Sequence, residues 1–168
     1  MECKMFEIGD KVVSMSNGIC CITGIVEMDM SGNGMKKYYT LVPESDHGTK
    51  LFIPVESAAE RIRKTMDKTE AMNMLEHIRD LGKLVIEDEK DREKKYKEAL
   101  RSSDPNMLAA ALKSIYYRRK QREAEGKKST VVDDKYYKLT IHKLHSELAY
   151  ALGCSESDIM GMIHERID

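Results

Sequence analysis

Apolar and polar positions follow two different periods along this chain, and the change falls near residue 56. Before it, short runs rich in Val, Ile, Tyr and Thr cover residues 11–15, 19–28, 35–42 and 51–55, with Gly, Asn and Ser between them. Gly9-Asp10 opens the first run and Asn17-Gly18 turns it back. The S-G-N-G at 31–34 reads as a hairpin loop whose glycines permit positive φ. Strands this short and closely spaced predict a small, strongly bent antiparallel barrel with exposed edges available for pairing. Residues 58–65 form a short connection, in which Arg61-Ile62-Arg63 can add an edge strand.

Beyond that point the period is helical. Asp67, three residues before Glu70, starts a helix with a capping-box pattern; Ala71, Met74, Leu75, Ile78 and Leu81 form its apolar stripe, and Gly82 ends or kinks it. Leu84 and Ile86 resume the apolar pattern. The run E-D-E-K-D-R-E-K-K-Y-K-E-A-L then sets opposite charges three and four apart, as on an exposed helix. Asp104 and Pro105 supply the N-cap and first position of the next helix, which buries Leu108, Ala111, Leu112 and Ile115, with Tyr116 or Tyr117 at its margin. A polar loop at 126–130 separates it from a helix over 133–152, with Tyr137, Ile141, Leu144, Leu148 and Ala151 on one stripe. Gly153 closes that helix; Ser155 with Asp158 opens a last one, pinned by Ile159, Met162 and Ile163. The expectation is an α+β chain: a small antiparallel β domain over 1–60 and an all-α helical bundle over 61–168.

Composition changes this picture in two places. Trp is absent and Met frequent, so the helical core must be built from Leu, Ile, Met, Ala and Tyr. A net charge of -1 excludes a highly basic nucleic-acid coat, but it hides a local excess: Lys113, Arg118, Arg119, Lys120, Arg122, Lys127 and Lys128 face only Glu123 and Glu125. Such cations can hold a phosphate backbone without reading bases. At a helix end they also oppose the negative end of the dipole, and the residues alone leave both readings open.

Catalytic chemistry finds little support. The chain has no phosphate-binding G-x-x-x-x-G-K-[ST] loop, no G-x-G-x-x-G, no G-x-S-x-G and no H-E-x-x-H. His142 and His145, with His164 or Cys154 as a third ligand, form a conceivable metal set, but two histidines on a helix are much more often surface or boundary residues. The carboxylates are interleaved with Lys and Arg, as on solvated helices. Cys3, Cys20, Cys21 and Cys154 make no C-x-x-C pair, and adjacent Cys20 and Cys21 point to opposite faces of a strand, one of them as a small buried hydrophobe. With no apolar run near the length of a membrane span and no signal-peptide core, the expectation is a cytoplasmic binding protein with reduced thiols. No enzyme activity, cofactor, metal, membrane partner or small-molecule substrate is expected.

The order G-D-K-V-V at 9–13, N-G at 17–18, the Ile22 to Ile25 segment, K-x-Y-Y-x-L at 36–41 and I-P-V-E at 53–56 resembles the N-terminal, RNA-polymerase-interacting domain of the CarD/CdnL family. That domain is a Tudor-like barrel shared with transcription-repair coupling factors. L-R-S-S-D at 100–104 and S-E-L-A at 146–149 are similar to the helical half of the family, so the resemblance extends over nearly the whole chain. It implies a bacterial regulator whose barrel binds the RNA polymerase β subunit and whose helical domain contacts promoter DNA non-specifically, modulating open-complex stability. The polymerase-facing edge strand and turn of the family fall here on Met28, Met30, Lys50, Phe52 and Ile53. Met28 and Phe52 stand where the family has arginines, and both equally read as barrel core or rim. Strand addition uses backbone groups and tolerates such exchanges. The DNA contacts fall on Arg92, Lys94, Arg118, Arg119, Lys120 and Arg122.

One departure bears on mechanism. Family members that stabilise open complexes insert a Trp into the minor groove, and aligning on the break at 100–104 puts Glu89 at or near that position. An apolar wedge offsets base unstacking, whereas a carboxylate repels phosphates. Among the neighbours, Arg92 and Lys94 match as cations and Asp91 does not. A second expectation therefore stands beside the first, that of a polymerase-bound adaptor without a DNA wedge.

Overall fold

The computed structural model describes residues 6–168 and divides into two compact units, one ending at Thr65 and one spanning Met66–Asp168. Cys3 lies outside the described residues. In the first unit, β1 (Lys11–Ser14), β2 (Gly18–Met28), β3 (Lys36–Pro43) and β4 (Leu51–Pro54) form an antiparallel meander. A short helix α1 (Ala58–Arg61) leads into β5 (Ile62–Lys64), which pairs with β1, giving the order β4-β3-β2-β1-β5. Gly18, at φ +68°, makes the tight β1–β2 turn possible.

The expected barrel does not close. Among the described residues β4 and β5 remain two edges, because the chain between them runs through a 3-10 turn (Val55–Ser57) and α1. That segment contributes a buried side chain, Ala58, to the open side rather than ladder partners. The first unit also runs past the expected boundary at residue 60, since β5 belongs to the sheet and the Thr65 N–H donates to the Lys11 carbonyl at 3.2 Å.

A register shift between Ile22 and Gly24 bends β2, so its first half packs inward while its second half continues as an arm with β3. Phe6, Val12, Cys20, Ile22, Tyr39, Leu41, Ile53 and Ile62 fill the core. The Phe6 N–H donates to the Tyr39 hydroxyl at 3.1 Å, and the two rings meet edge to face at 6.0 Å. Burial pushes the Cys20 thiol up to about 11, which leaves it an inert hydrophobe at neutral pH.

The second unit contains α2 (Lys68–His77), α3 (Arg92–Arg101), α4 (Pro105–Ala124), α5 (Val131–Leu152) and α6 (Glu156–Ile167). Its starts follow the expected chemistry: reciprocal capping boxes at Asp67/Glu70 and Ser155/Asp158, and Asp104 accepting from the Asn106 N–H with Pro105 behind it. Helix α5 begins two residues earlier than the apolar spacing predicts, because Thr130 caps it and leaves Val131 exposed. Gly153, at φ +66°, ends it in the left-handed conformation. Leu75, Ile78, Tyr96, Leu112, Ile115, Leu144, Leu148, Ile159 and Ile163 form one continuous core. Among the described residues no helix is long and apolar enough to cross a membrane.

Lys113, counted with the basic cluster from sequence, is 4% exposed. Its ammonium donates to the carbonyls of Arg79, at 2.7 Å, and of Leu81, so a cation from α4 caps the chain leaving α2. Burial, then the charge of Lys83, lowers its pKa. Lys113→Met should cost about 2 kcal/mol in urea denaturation, since it orphans carbonyls in a place water reaches poorly.

Candidate functional site

Alternation along β4 sorts its side chains. Ile53 is buried in the core and Leu51 packs against it, whereas Phe52, opposite Thr40 of β3, is 39% exposed. The other side of β4 carries no strand among the described residues. A groove of about 390 Å³ runs along it, between Leu51, Phe52 and Ile53 on one flank and residues 14–17 with Arg61 on the other. Backbone donors and acceptors on an uncovered edge beside a groove are the requirements for adding an extended chain. Of the five sequence-derived docking residues, Lys50, Phe52 and Met30 are exposed and Met28 is half-buried at the end of β2. The Ile53 side chain is core, which leaves only its backbone at the edge.

The cations of the helical unit separate into two groups. Arg92 and Arg118 are largely covered; they close around Asp133, a carboxylate with no exposed surface at the third position of α5. Arg118 Nε donates to Asp133 Oδ2 at 3.0 Å, and the Tyr96 hydroxyl donates to Oδ1 at 3.2 Å. Arg92 Nε lies 3.2 Å from Oδ1 without hydrogen-bond alignment, so it contributes charge only. Glu89 bridges the outer side, accepting from Arg118 Nη1 at 2.6 Å and from Arg92 Nη1. Two guanidiniums and two carboxylates thus neutralise one another, and burial with the Asp133 charge pushes the Tyr96 hydroxyl pKa upward. Arg122 is also engaged within the chain, donating from Nε to the Lys128 carbonyl at 2.9 Å at the surface.

The second group stays at the surface. Arg119 and Lys120 lie on the last turns of α4, Lys127 and Lys128 on the loop that follows, and Lys94 is exposed on α3. Sequence reading placed Arg92, Arg118 and Arg122 among the DNA contacts and left out Lys127 and Lys128; the structure engages the first three with protein groups and leaves the last two exposed. The signal for the engagement of Arg92 and Arg118 was Thr130-x-x-Asp133, a capped helix start with an acidic residue at its third position. The histidines that could conceivably face a metal are not brought together. His142 is exposed, His145 is 2% exposed, and among the described residues no three His, Cys, Asp or Glu side chains are placed to hold a metal ion.

A small antiparallel sheet with a bare edge strand presents the backbone groups that strand pairing uses. Residues 6–66 match the family model of the CarD-like/TRCF RID domain, a match that spans the first unit. This domain is known as an RNA polymerase β-interacting domain, consistent with a polymerase-binding role. The match ends where the helical unit begins. Comparison of the chain with curated proteins returned no match.

Proposed function

We propose that the protein is a bacterial transcription regulator that docks on the RNA polymerase β subunit through the β4 edge and alters promoter open-complex stability through its helical unit. The observation that carries the docking half is the uncovered β4 edge, with Phe52 exposed upon it, inside the residues that match the polymerase-interacting domain. It is a binding role with no catalytic step. Docking holds the helical unit at high effective concentration near promoter DNA, so weak phosphate contacts suffice. A bias of about 1.4 kcal/mol moves the closed-to-open equilibrium tenfold.

With Arg92 and Arg118 engaged on Asp133, phosphate contact falls to Arg119, Lys120, Lys127, Lys128 and Lys94. Glu89 serves the ion-pair network and supplies no wedge. That observation favours a second reading, an adaptor that binds polymerase and leaves open complexes unchanged.

Two measurements test these readings. Phe52→Glu, a charge placed on an exposed edge position, should weaken binding to the cognate polymerase at least tenfold by biolayer interferometry while leaving thermal stability unchanged. Open-complex lifetime, followed at two salt concentrations, should change with wild-type protein and return to its unassisted value when Arg119, Lys120, Lys127 and Lys128 are all replaced by Ala. Binding of both proteins without an effect on lifetime selects the adaptor. No binding of the wild type to polymerase refutes the assignment for this chain.

A further inference from the structure

Where α4 ends and α5 begins, a cleft of about 550 Å³ opens, a volume in the range of small-ligand sites. Tyr116 and Tyr137 form its walls, and each carries a stacked cation. The Arg119 guanidinium lies 4.3 Å from the Tyr137 ring centre and the Lys120 ammonium 4.9 Å from that of Tyr116. Stacking fixes two long side chains that would otherwise be free to sample many rotamers. Lys127 and Lys128 complete the cationic lining from the α4–α5 loop.

The anions already present show what these cations accept. Lys120 pairs with Asp168, Lys127 with Glu125 at 2.8 Å, and Arg119 with Asp134 at 3.4 Å. All three are solvent-exposed pairs of small net worth, and Asp134 Oδ1 makes no hydrogen bond among the described residues, so Arg119 is held there by charge alone. A ligand presenting several oxyanion oxygens at once can exchange with them. An independent observation points to such a ligand: the Ser129 hydroxyl, on the same lining, is buried and has no hydrogen-bond partner among the described residues. Buried hydroxyls are nearly always satisfied, and this one stands one residue before the cap of the long helix α5, whose N-terminal dipole favours negative charge. Glu123, also on the lining, is an acceptor suited to a ligand with a hydroxyl or amino donor beside its phosphate.

We propose that this cleft is a phosphate-binding site for a nucleotide unit, with Ser129 donating to a phosphate oxygen and Arg119, Lys120, Lys127 and Lys128 supplying charge. The unit comes either from a nucleic-acid backbone or from a free nucleotide. In the first case the inference rests on the DNA reading above and locates its contact; in the second it is independent of it.

The test titrates the full chain with a short labelled DNA duplex, with adenosine triphosphate and with tripolyphosphate, holding ionic strength constant. Ser129→Ala should weaken whichever probe binds threefold to tenfold and the Lys127→Ala, Lys128→Ala pair at least tenfold, while Lys68→Ala, at an exposed position of α2, changes it less than twofold. Duplex binding that falls in both cleft variants, with triphosphate displacing no more than matched chloride does, identifies the backbone as the source. Triphosphate binding that falls in them without duplex binding supports the cleft and refutes the DNA reading. Duplex binding indifferent to both cleft variants, yet weakened when Lys94 becomes Ala, overturns the cleft and leaves the DNA reading standing. Binding of none of the probes overturns the cleft outright.

Discussion

Replacing Asp133 by Ala is expected to destabilise the helical unit by about 3–5 kcal/mol, the range for breaking a buried ion pair by removing one partner. Asp133 is fully buried, and its two oxygens receive Tyr96 and Arg118 with Arg92 alongside. Its removal leaves two largely covered guanidiniums facing only Glu89, which is itself mostly exposed and screened. It also removes a negative charge from the first turn of α5, where the helix dipole favours one. Urea denaturation followed by circular dichroism measures the loss. Tyr96→Phe should cost only about 1 kcal/mol, one hydrogen bond. Combining Asp133→Leu with Arg92→Met and Arg118→Met should recover most of the stability lost in the single variant, because apolar replacement of a whole buried network is often neutral. An Asp133→Ala effect below about 1 kcal/mol would show that water relieves the site and that the network is not a fixed part of the core.

Acid should destabilise the same unit in a definable window. His145 is 2% exposed, neither ring nitrogen has a partner among the described residues, and burial followed by the charge of His164 lowers its pKa from 6.5 to about 4. The folded state therefore holds the ring neutral where the unfolded chain takes up a proton. Stability is full above about pH 6.5 and falls as the pH drops towards 4, by up to about 3 kcal/mol at about 1.4 kcal/mol per unit of displacement. Carboxylates such as Asp158, whose pKa is lowered by the Ser155 hydroxyl and N–H, lose their contribution only at lower pH, so the two regimes separate. His145→Leu keeps the volume and removes the orphan nitrogens. It should match or exceed wild type at pH 7 and flatten the slope between pH 6.5 and 4, as read from urea midpoints across that range. A wild-type slope that survives the substitution would falsify the assignment to His145.

The elements of both units were legible because each is written in local chemistry. Asp67 with Glu70, Asp104 with Pro105, and Ser155 with Asp158 are backbone-capping arrangements that work wherever the helix packs, and all formed where read. The edge strand at β5 was legible from Arg61-Ile62-Arg63, but its consequence was not. Barrel closure depends on whether two distant edges meet, and the turn from β4 through α1 fills that side with Ala58 instead. His145 was misjudged for a related reason. Helical spacing tells which residues share a stripe, and the width of the buried stripe is set by how many helices pack against it.

By itself the sequence determined what local physics can determine: a period-two half and a helical half, the caps and turns, the ordered residues over 9–56 that resemble a polymerase-interacting domain, and the concentration of cations around 113–128. Only the tertiary structure decided which of those cations are available. Lys113 went to carbonyls beyond α2, Arg92 and Arg118 to Asp133, and Arg119, Lys120, Lys127 and Lys128 were left around a cleft. The physical reason is desolvation. A charge in a one-dimensional sequence carries no record of its dielectric surroundings, and a side chain becomes a structural ion or a binding ion according to the carboxylates and carbonyls that folding brings to it from far along the chain.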